Sequence, residues 1–281
     1  MSERIKNVIV ISDTHFGCKL GLCPNEALLD EGGIYQSSPL QKTVYEKWLF
    51  FWNEWVPKVT KGEPYYILHN GDIIDGVHHG ATTTITNNIK DQKAIAVQVM
   101  KPILSMPNCA GYYQIRGTEV HVGKSACDEE DVAKELGAIP DNIPNYARWE
   151  LWLRFGNNNN LVHFAHHIGT TSSSAFESTA PMKEYIDACT EAGRWGYEPP
   201  DCIVRSHRHR NIEVRIATKS GYGISLVTAG WQLKTPFVYR IAMGRSSNPQ
   251  IGGSLIREGN EDSLFTRSIV WNLQRTKEEQ I

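Results

Sequence analysis

Short apolar runs and amphipathic stretches alternate through the first half of the chain. Val8-Ile-Val-Ile11 is a β-branched run that stops at Ser12-Asp-Thr-His15, which predicts a buried strand with polar residues at its carboxyl tip. Tyr65-Tyr-Ile-Leu-His69 and Tyr112-Tyr-Gln-Ile115 predict two more strands, which run into Asn70-Gly-Asp-Ile-Ile-Asp75 and Arg116-Gly-Thr-Glu-Val-His121. Between the first two, Val44, Trp48, Phe51, Trp52 and Trp55 recur at spacings of three and four. This predicts an amphipathic helix over 41–56 that ends near Pro57, its aromatic stripe forming core. Further helices are expected over 91–105 and, short and acidic, over 128–136. Residues 18–40, rich in Gly, Pro and Ser, and the polar stretch 78–90 read as loop insertions near the site. Strand and helix alternating in this way argue for a largely parallel α/β sheet.

The pattern then changes. Trp149, Leu151, Leu153 and Phe155 alternate with polar residues, an Asn-rich turn follows Gly156, and Leu161-Val-His-Phe-Ala165 returns as the second arm of a hairpin. A helix near 178–192 and strands near 202–205, 212–217, 223–229 and 265–272 complete the chain. No linker divides it, so residues 1–281 are expected to form one domain with two sheets packed between helices.

Composition narrows the class. With 281 residues, 41% hydrophobic, 21% charged and a formal net charge of −2, this is an ordinary globular chain with no global attraction for nucleic acid. Its six cysteines are scattered and form no C-x-x-C pair, as expected for reduced thiols in a cytoplasmic protein. Neither a signal peptide nor a membrane span is expected.

Polar clusters lie just past the ends of the expected strands: Asp13 and His15, Asp72 and Asp75, Thr118, Glu119 and His121, His166 and His167, and His207 and His209. In open α/β sheets, sites form beyond the carboxyl ends of strands, so these clusters can converge. Asp-x-His and His-x-His place two side chains on one side of an extended segment, where both can grip one ion. Asp72 follows Gly71, and its two carboxylate oxygens can bridge two ions. Mixed imidazole and carboxylate ligands suit Mn, Fe, Zn or Ni better than Ca or Mg. Two such ions about 3.5–4 Å apart clamp a phosphoryl group and generate a hydroxide nucleophile at neutral pH.

Asp13-Thr-His15, Gly71-Asp-Ile-Ile-Asp75, His166 and Ser206-His-Arg-His209 resemble, in order and spacing, the calcineurin-like metallophosphoesterases, whose pattern is D-x-H, G-D-x-x-D, G-N-H-[DE], a strand-end His and G-H-x-H. The resemblance covers residues 8–210. It implies a four-layer α/β sandwich of two mixed β-sheets flanked by helices. It also implies two divalent metal ions, Mn²⁺ first, with Fe, Zn, Ni or Mg as alternatives. Asp13, His15 and His209 would hold one metal, His166 and His207 the other, with Asp72 bridging and Thr118, His167 and Asp75 either ligands or just behind them. The strings Arg116–Gly123 and Gly230–Pro236 resemble uncharacterised phage and prophage members.

The third motif departs from the family. Thr118 stands where Asn would give a carbonyl oxygen to the second metal, and Glu119 where a His would assist the leaving group. Either the second site is weakened, or Glu119 or His121 substitutes. His121 is the expected proton donor, because an imidazole carries a proton near neutral pH whereas Glu119 beside two cations stays ionised. Arg116 and Arg208 are expected to hold phosphate. Arg205, Arg210 and Arg215 form a basic rim or pair with local carboxylates, and the acidic stretch Asp128–Asp131 argues against a long DNA groove. The expected activity is hydrolysis of a phosphate ester, a diester of DNA, RNA or a nucleotide before a monoester. The alternative is a catalytically weak or inactive metal-binding protein.

Overall fold

The computed structural model describes residues 4–78, 80–169, 173–219, 221–241, 248–259 and 264–273. His79, inside the expected loop 78–90, lies outside them.

The first strand, β1 (Asn7–Ile11), is buried along its whole length, as its unbroken apolar run requires. A two-stranded ribbon follows, β2 (Glu26–Leu28) and β3 (Ile34–Gln36), within the expected loop 18–40. Ser38 caps α1 (Pro39–Phe50) with a reciprocal Ser38–Gln41 capping box. The helix does not stop at Pro57. It widens through a π-helical turn at Phe51–Trp55 and continues as α2 (Val56–Thr60). In the wide turn the Val56 N–H reaches back to the Phe51 carbonyl, and Pro57 follows directly in the first turn of α2. Then come β4 (Tyr65–Asn70), α3 (Ile89–Leu104), β5 (Cys109–Ile115), the single turn α4 (Glu119–Val122), α5 (Cys127–Glu135) and β6 (Ala147–Arg148). The expected hairpin is β7 (Leu151–Phe155) and β8 (Asn160–Phe164). After α6 (Thr179–Trp195) come β9 (Cys202–Arg205), β10 (Ile212–Thr218) and β11 (Gly221–Val227). The chain continues through α7 (Pro236–Ile241), β12 (Ile251–Glu258) and β13 (Leu264–Trp271).

The strands form two mixed sheets, β13-β12-β1-β4-β5-β6 and β10-β11-β9-β8-β7. Alternation along β1 shows the layering. Val8 and Val10 face the core between the sheets with Leu153, Phe164 and Leu226, while Ile9 and Ile11 face the helical layer with Trp48, Trp52 and Ile95. The aromatic stripe of α1 is core, with Trp48 and Phe51 packed on Trp231. On the other side, α6 packs against β9, β10 and β11. The result is the expected four-layer sandwich. Strand β12 is absent from the sequence-based expectation, because Gly252-Gly253 breaks its apolar pattern. A Cβ at Gly253 would come within 2.7 Å of the Phe51 ring, so the glycine lets helix and sheet approach.

Strands β1, β4 and β5 run parallel, as do β8 and β9. Their carboxyl ends deliver all the polar clusters to one end of the sandwich.

Candidate metal centre

Five of the candidate ligands sit in left-handed backbone: Asp13 at φ 51°, His15 at 44°, Asp72 at 56°, His207 at 69° and His209 at 49°. Such a conformation costs a non-glycine residue about 1–3 kcal/mol and persists only where surrounding contacts enforce it. Here the turns lock one another. The Asp13 N–H bonds the Gly71 carbonyl at 2.9 Å, the His15 N–H the Asp72 carbonyl at 3.1 Å, and the Trp231 N–H the Asp13 carbonyl at 2.9 Å. A Cβ on Gly71 would overlap the His166 ring, and one on Gly117 the Asp72 carboxylate.

A buried hydroxyl and amide network ties four strand ends together beneath these turns. Ser12 Oγ meets Thr228 Oγ1 at 2.7 Å, Thr228 meets Ser206 Oγ at 2.8 Å, and Asn70 Nδ2 donates to Ser206 Oγ at 2.7 Å. Asn70 also accepts at its main-chain oxygen from His166 Nδ1, at 2.6 Å, which leaves Nε2 of His166 for the site. Ser206, where the family pattern has Gly, is therefore a member of the scaffold. Glu129 is fully buried and accepts from the Ile73 N–H at 2.9 Å and the Gly117 N–H at 2.6 Å, joining the Asp72 turn to the Thr118 turn.

Two groups of donors converge above this scaffold. Asp13, His15 and His209 offer ligand atoms within 4.8 Å of one another. In this group Nε2 of His15 and Nε2 of His209 are 3.3 Å apart, and Nε2 of His209 is 3.2 Å from Asp13 Oδ1. In the second group, Nε2 of His166 lies 3.0 Å from Asp72 Oδ2, and Thr118 Oγ1 lies 3.1 Å from Asp72 Oδ2, 3.3 Å from His166 Nε2 and 3.0 Å from His207 Nδ1. Asp72 stands between the groups, with Oδ2 also 4.0 Å from His15 Nε2. Fold and site together resemble the calcineurin-like metallophosphoesterases.

The residues of this metallophosphoesterase-like site fit divalent cations. Asp13 Oδ1 and Asp75 Oδ2 are buried carboxylate oxygens without a hydrogen bond, and His15 Nδ1 is a buried ring nitrogen without one. Carboxylate oxygens and imidazole nitrogens gathered this closely, but out of line for hydrogen bonding, are the donor set of a mixed N/O metal site. The charges agree. Burial opposes ionisation of Asp13, yet His209 and His166 outweigh it and hold its carboxyl well below the usual range. Asp72 is likewise held far down against its burial, chiefly by His166. Burial alone would discharge His166, but the Asp72 and Asp13 carboxylates push it up to about 10. Without a cation, a proton on His166 supplies the positive charge these carboxylates demand. Burial and His166 push His207 down to about 4, which keeps it neutral as a ligand must be.

Other expected residues fall differently. His167, expected as a ligand or just behind the ligands, offers a nitrogen within 4.8 Å of those of His166 and His207, so it can join the second group. Asp75 faces His15 Nδ1 at 3.3 Å and accepts from Gln232 Nε2 at 3.2 Å, the position of a residue that orients a ligand. Glu119 is exposed on α4 and does not line the cavity. His121 does line it, but burial and the neighbouring His15 push it down to about 4. Its Nδ1 lies 2.6 Å from the Asp75 carbonyl oxygen, which only Nδ1–H can satisfy. In the metal-free chain this favours a neutral His121 with its lone pair at Nε2. Its desolvation and a neighbouring imidazole decide this.

The basic rim is largely paired. Arg205 meets Glu184 at 3.1 Å, Arg210 meets Glu177 at 3.1 Å and Arg215 meets Glu213 at 2.7 Å. Arg116 donates to the Ala147 carbonyl at 2.7 Å, lies 3.4 Å from Glu130 and stacks over Trp149, so it braces β6 and does not line the cavity. Arg208 lines the cavity and bonds the Glu177 carbonyl at 3.3 Å. The acidic stretch is scaffold as well. Besides Glu129, Glu130 accepts from the Tyr146 and Ala147 N–H groups, and Asp128 and Asp131 hold Lys93. The cavity over the site has a volume of about 850 Å³ and an apolar wall of Leu233, Pro236, Phe237 and Val238.

No family model matches the sequence. No curated protein matches it. Among solved structures, the chain is similar to a predicted phosphoesterase of Streptococcus pneumoniae TIGR4, with TM-score 0.34 and 9% identity over 96% of this chain and 99% of that one. It is similar to a Thermotoga maritima protein, with TM-score 0.36 and 10% identity over 95% and 100%. It is also similar to Vps29 of Chaetomium thermophilum, with TM-score 0.39 and 8% identity over 95% and 98%. None of the six cysteines is in a disulfide. Among the described residues, no helix is long and apolar enough to cross a membrane.

Proposed function

We propose that this chain hydrolyses phosphodiesters with two divalent cations. The observation that carries the reading is the place of Asp72, a buried carboxylate between Asp13/His15/His209 and His166/His207, in reach of both groups. Asp13, His15 and His209 would hold one ion, and His166, His207 and Thr118 the other, with His167 able to join. Such a pair supplies a nucleophile from water at neutral pH and neutralises the phosphoryl oxygens. The chain's own residues do the positioning. Asp75 orients His15, Asn70 fixes the tautomer of His166, and Glu129 holds the Asp72 and Thr118 turns in register.

The cavity favours a diester over a monoester. Its volume of about 850 Å³ is of the size that holds a nucleotide-sized ligand, and its apolar wall can take an organic group beside the phosphorus. Because the arginines around the His207–His209 loop are mostly paired, the substrate is a nucleotide or a strand end before a long duplex. A second reading, a metal-binding protein of weak activity, draws on Thr118, whose neutral hydroxyl replaces a carbonyl oxygen at the second group.

The test is turnover of bis(p-nitrophenyl) phosphate and p-nitrophenyl phosphate after thorough chelation and addition of single metals. The expected result is activation by Mn²⁺ far above Ca²⁺, with the diester preferred. Calcium prefers six to eight oxygen ligands, so equal rates in Ca²⁺ contradict the ligand set. Bound metal without turnover of either ester supports the weak-activity reading.

A further inference from the structure

Beside the two groups that hold the metal pair lies another that neither uses. Asp75, His78 and His121 offer one carboxylate oxygen and two ring nitrogens within 4.8 Å of one another, on the wall of the same cavity. The three come from separate points in the chain, the turn after β4, the loop beyond it and α4. His121 and His78 meet edge to face with ring centroids 4.4 Å apart, and Nε2 of His78 is 3.6 Å from Asp75 Oδ1.

The two oxygens of Asp75 are in different circumstances. Oδ1 faces His15 Nδ1 and accepts from Gln232. Oδ2 is buried, on a residue only 1% exposed, and has no hydrogen bond. A buried carboxylate oxygen without a partner is unfavourable unless something positive completes it. Among these three residues the donors are a carboxylate and two imidazoles, which suits Mn²⁺, Zn²⁺ or Fe²⁺.

The geometry points to a third divalent cation, held by Asp75, His78 and His121 beside the metal pair. This rests on the dinuclear reading, since Asp75 would join the third ion to the first through His15.

The experiment counts metal. The chelated full-length chain is titrated with Mn²⁺, free ion is followed by electron paramagnetic resonance, and bound ion by elemental mass spectrometry. Three Mn²⁺ per wild-type chain are expected. Two are expected in His78→Ala and in His78→Gln, with the circular dichroism of both matching wild type. Two per wild-type chain, unchanged in either variant, overturns the third site and leaves the pair intact. Three in both wild type and variants overturns the assignment to His78. Fewer than two in wild type overturns the dinuclear reading itself.

Discussion

Thr118 Oγ1 lies 3.0 Å from Nδ1 of His207, so a hydroxyl occupies the point where the second group of ligands converges. The family pattern places an amide carbonyl there, a stronger oxygen donor. The Thr118→Asn variant should therefore bind its second Mn²⁺ more tightly, on the order of tenfold, the low end of what polar groups around a metal contribute. Thr118→Val should bind it more weakly. Isothermal titration of the chelated proteins checks this, and equal second-site affinities in all three would remove Thr118 from the ligand set.

Glu129 carries the join between two ligand-bearing turns. Glu129→Ala leaves the buried N–H groups of Ile73 and Gly117 without an acceptor, at about 1–3 kcal/mol for each. Glu129→Gln keeps one acceptor but turns an NH₂ toward the other N–H. Both variants should melt at lower temperature than wild type, with alanine the lower. A melting temperature unchanged in Glu129→Ala would show that the turns hold without it.

Stability of the metal-free protein should fall as the solution becomes alkaline. His166 is held up to about 10 in the fold against an ordinary 6.5, so its contribution is complete below pH 6.5 and is lost as the pH rises toward 10. Glu129 acts in the same sense, because burial and Asp72 push it up to about 8 from 4.5. A bound cation displaces the His166 proton, so the slope should flatten with Mn²⁺. Melting curves at pH 6.5 and pH 9, with and without chelator, decide the matter. The chelated protein should melt lower at pH 9, and a pH-independent melting temperature would speak against the charged cluster.

A neutral His121 has a kinetic consequence. Loss of a general acid slows an ester with a poor leaving group by about 10²–10⁴-fold and spares one whose leaving group needs no proton. His121→Ala should instead slow an alkyl diester and a p-nitrophenyl diester by similar factors. A large selective loss on the alkyl diester would restore His121 as proton donor.

Much of this site is legible in the sequence. Asp13, His15, Asp72, His166, His207 and His209 all follow short apolar runs, and a parallel sheet gathers the ends of such runs. The scaffold is not legible there. Asn70 and Glu129 act through main-chain groups far away along the chain, and Glu129 sits in an acidic run that reads as solvated surface. The same limit applies to β12, where Gly252-Gly253 hides a strand whose glycine makes room for Phe51. It applies also to Pro57, which ends a regular helix but is accommodated after a π turn. The left-handed backbone of five ligands has no signature in composition, since it is imposed by neighbouring turns.

The central claim is that Asp72 is shared by two cations. Its most direct test is metal content and diester turnover measured on the same Asp72→Asn preparation. An amide keeps the shape but offers one weak oxygen in place of two charged ones. The account predicts that bound Mn²⁺ falls by at least one per chain relative to wild type and that turnover is abolished, with the fold intact by circular dichroism. Metal content equal to that of wild type with near wild-type turnover would contradict it.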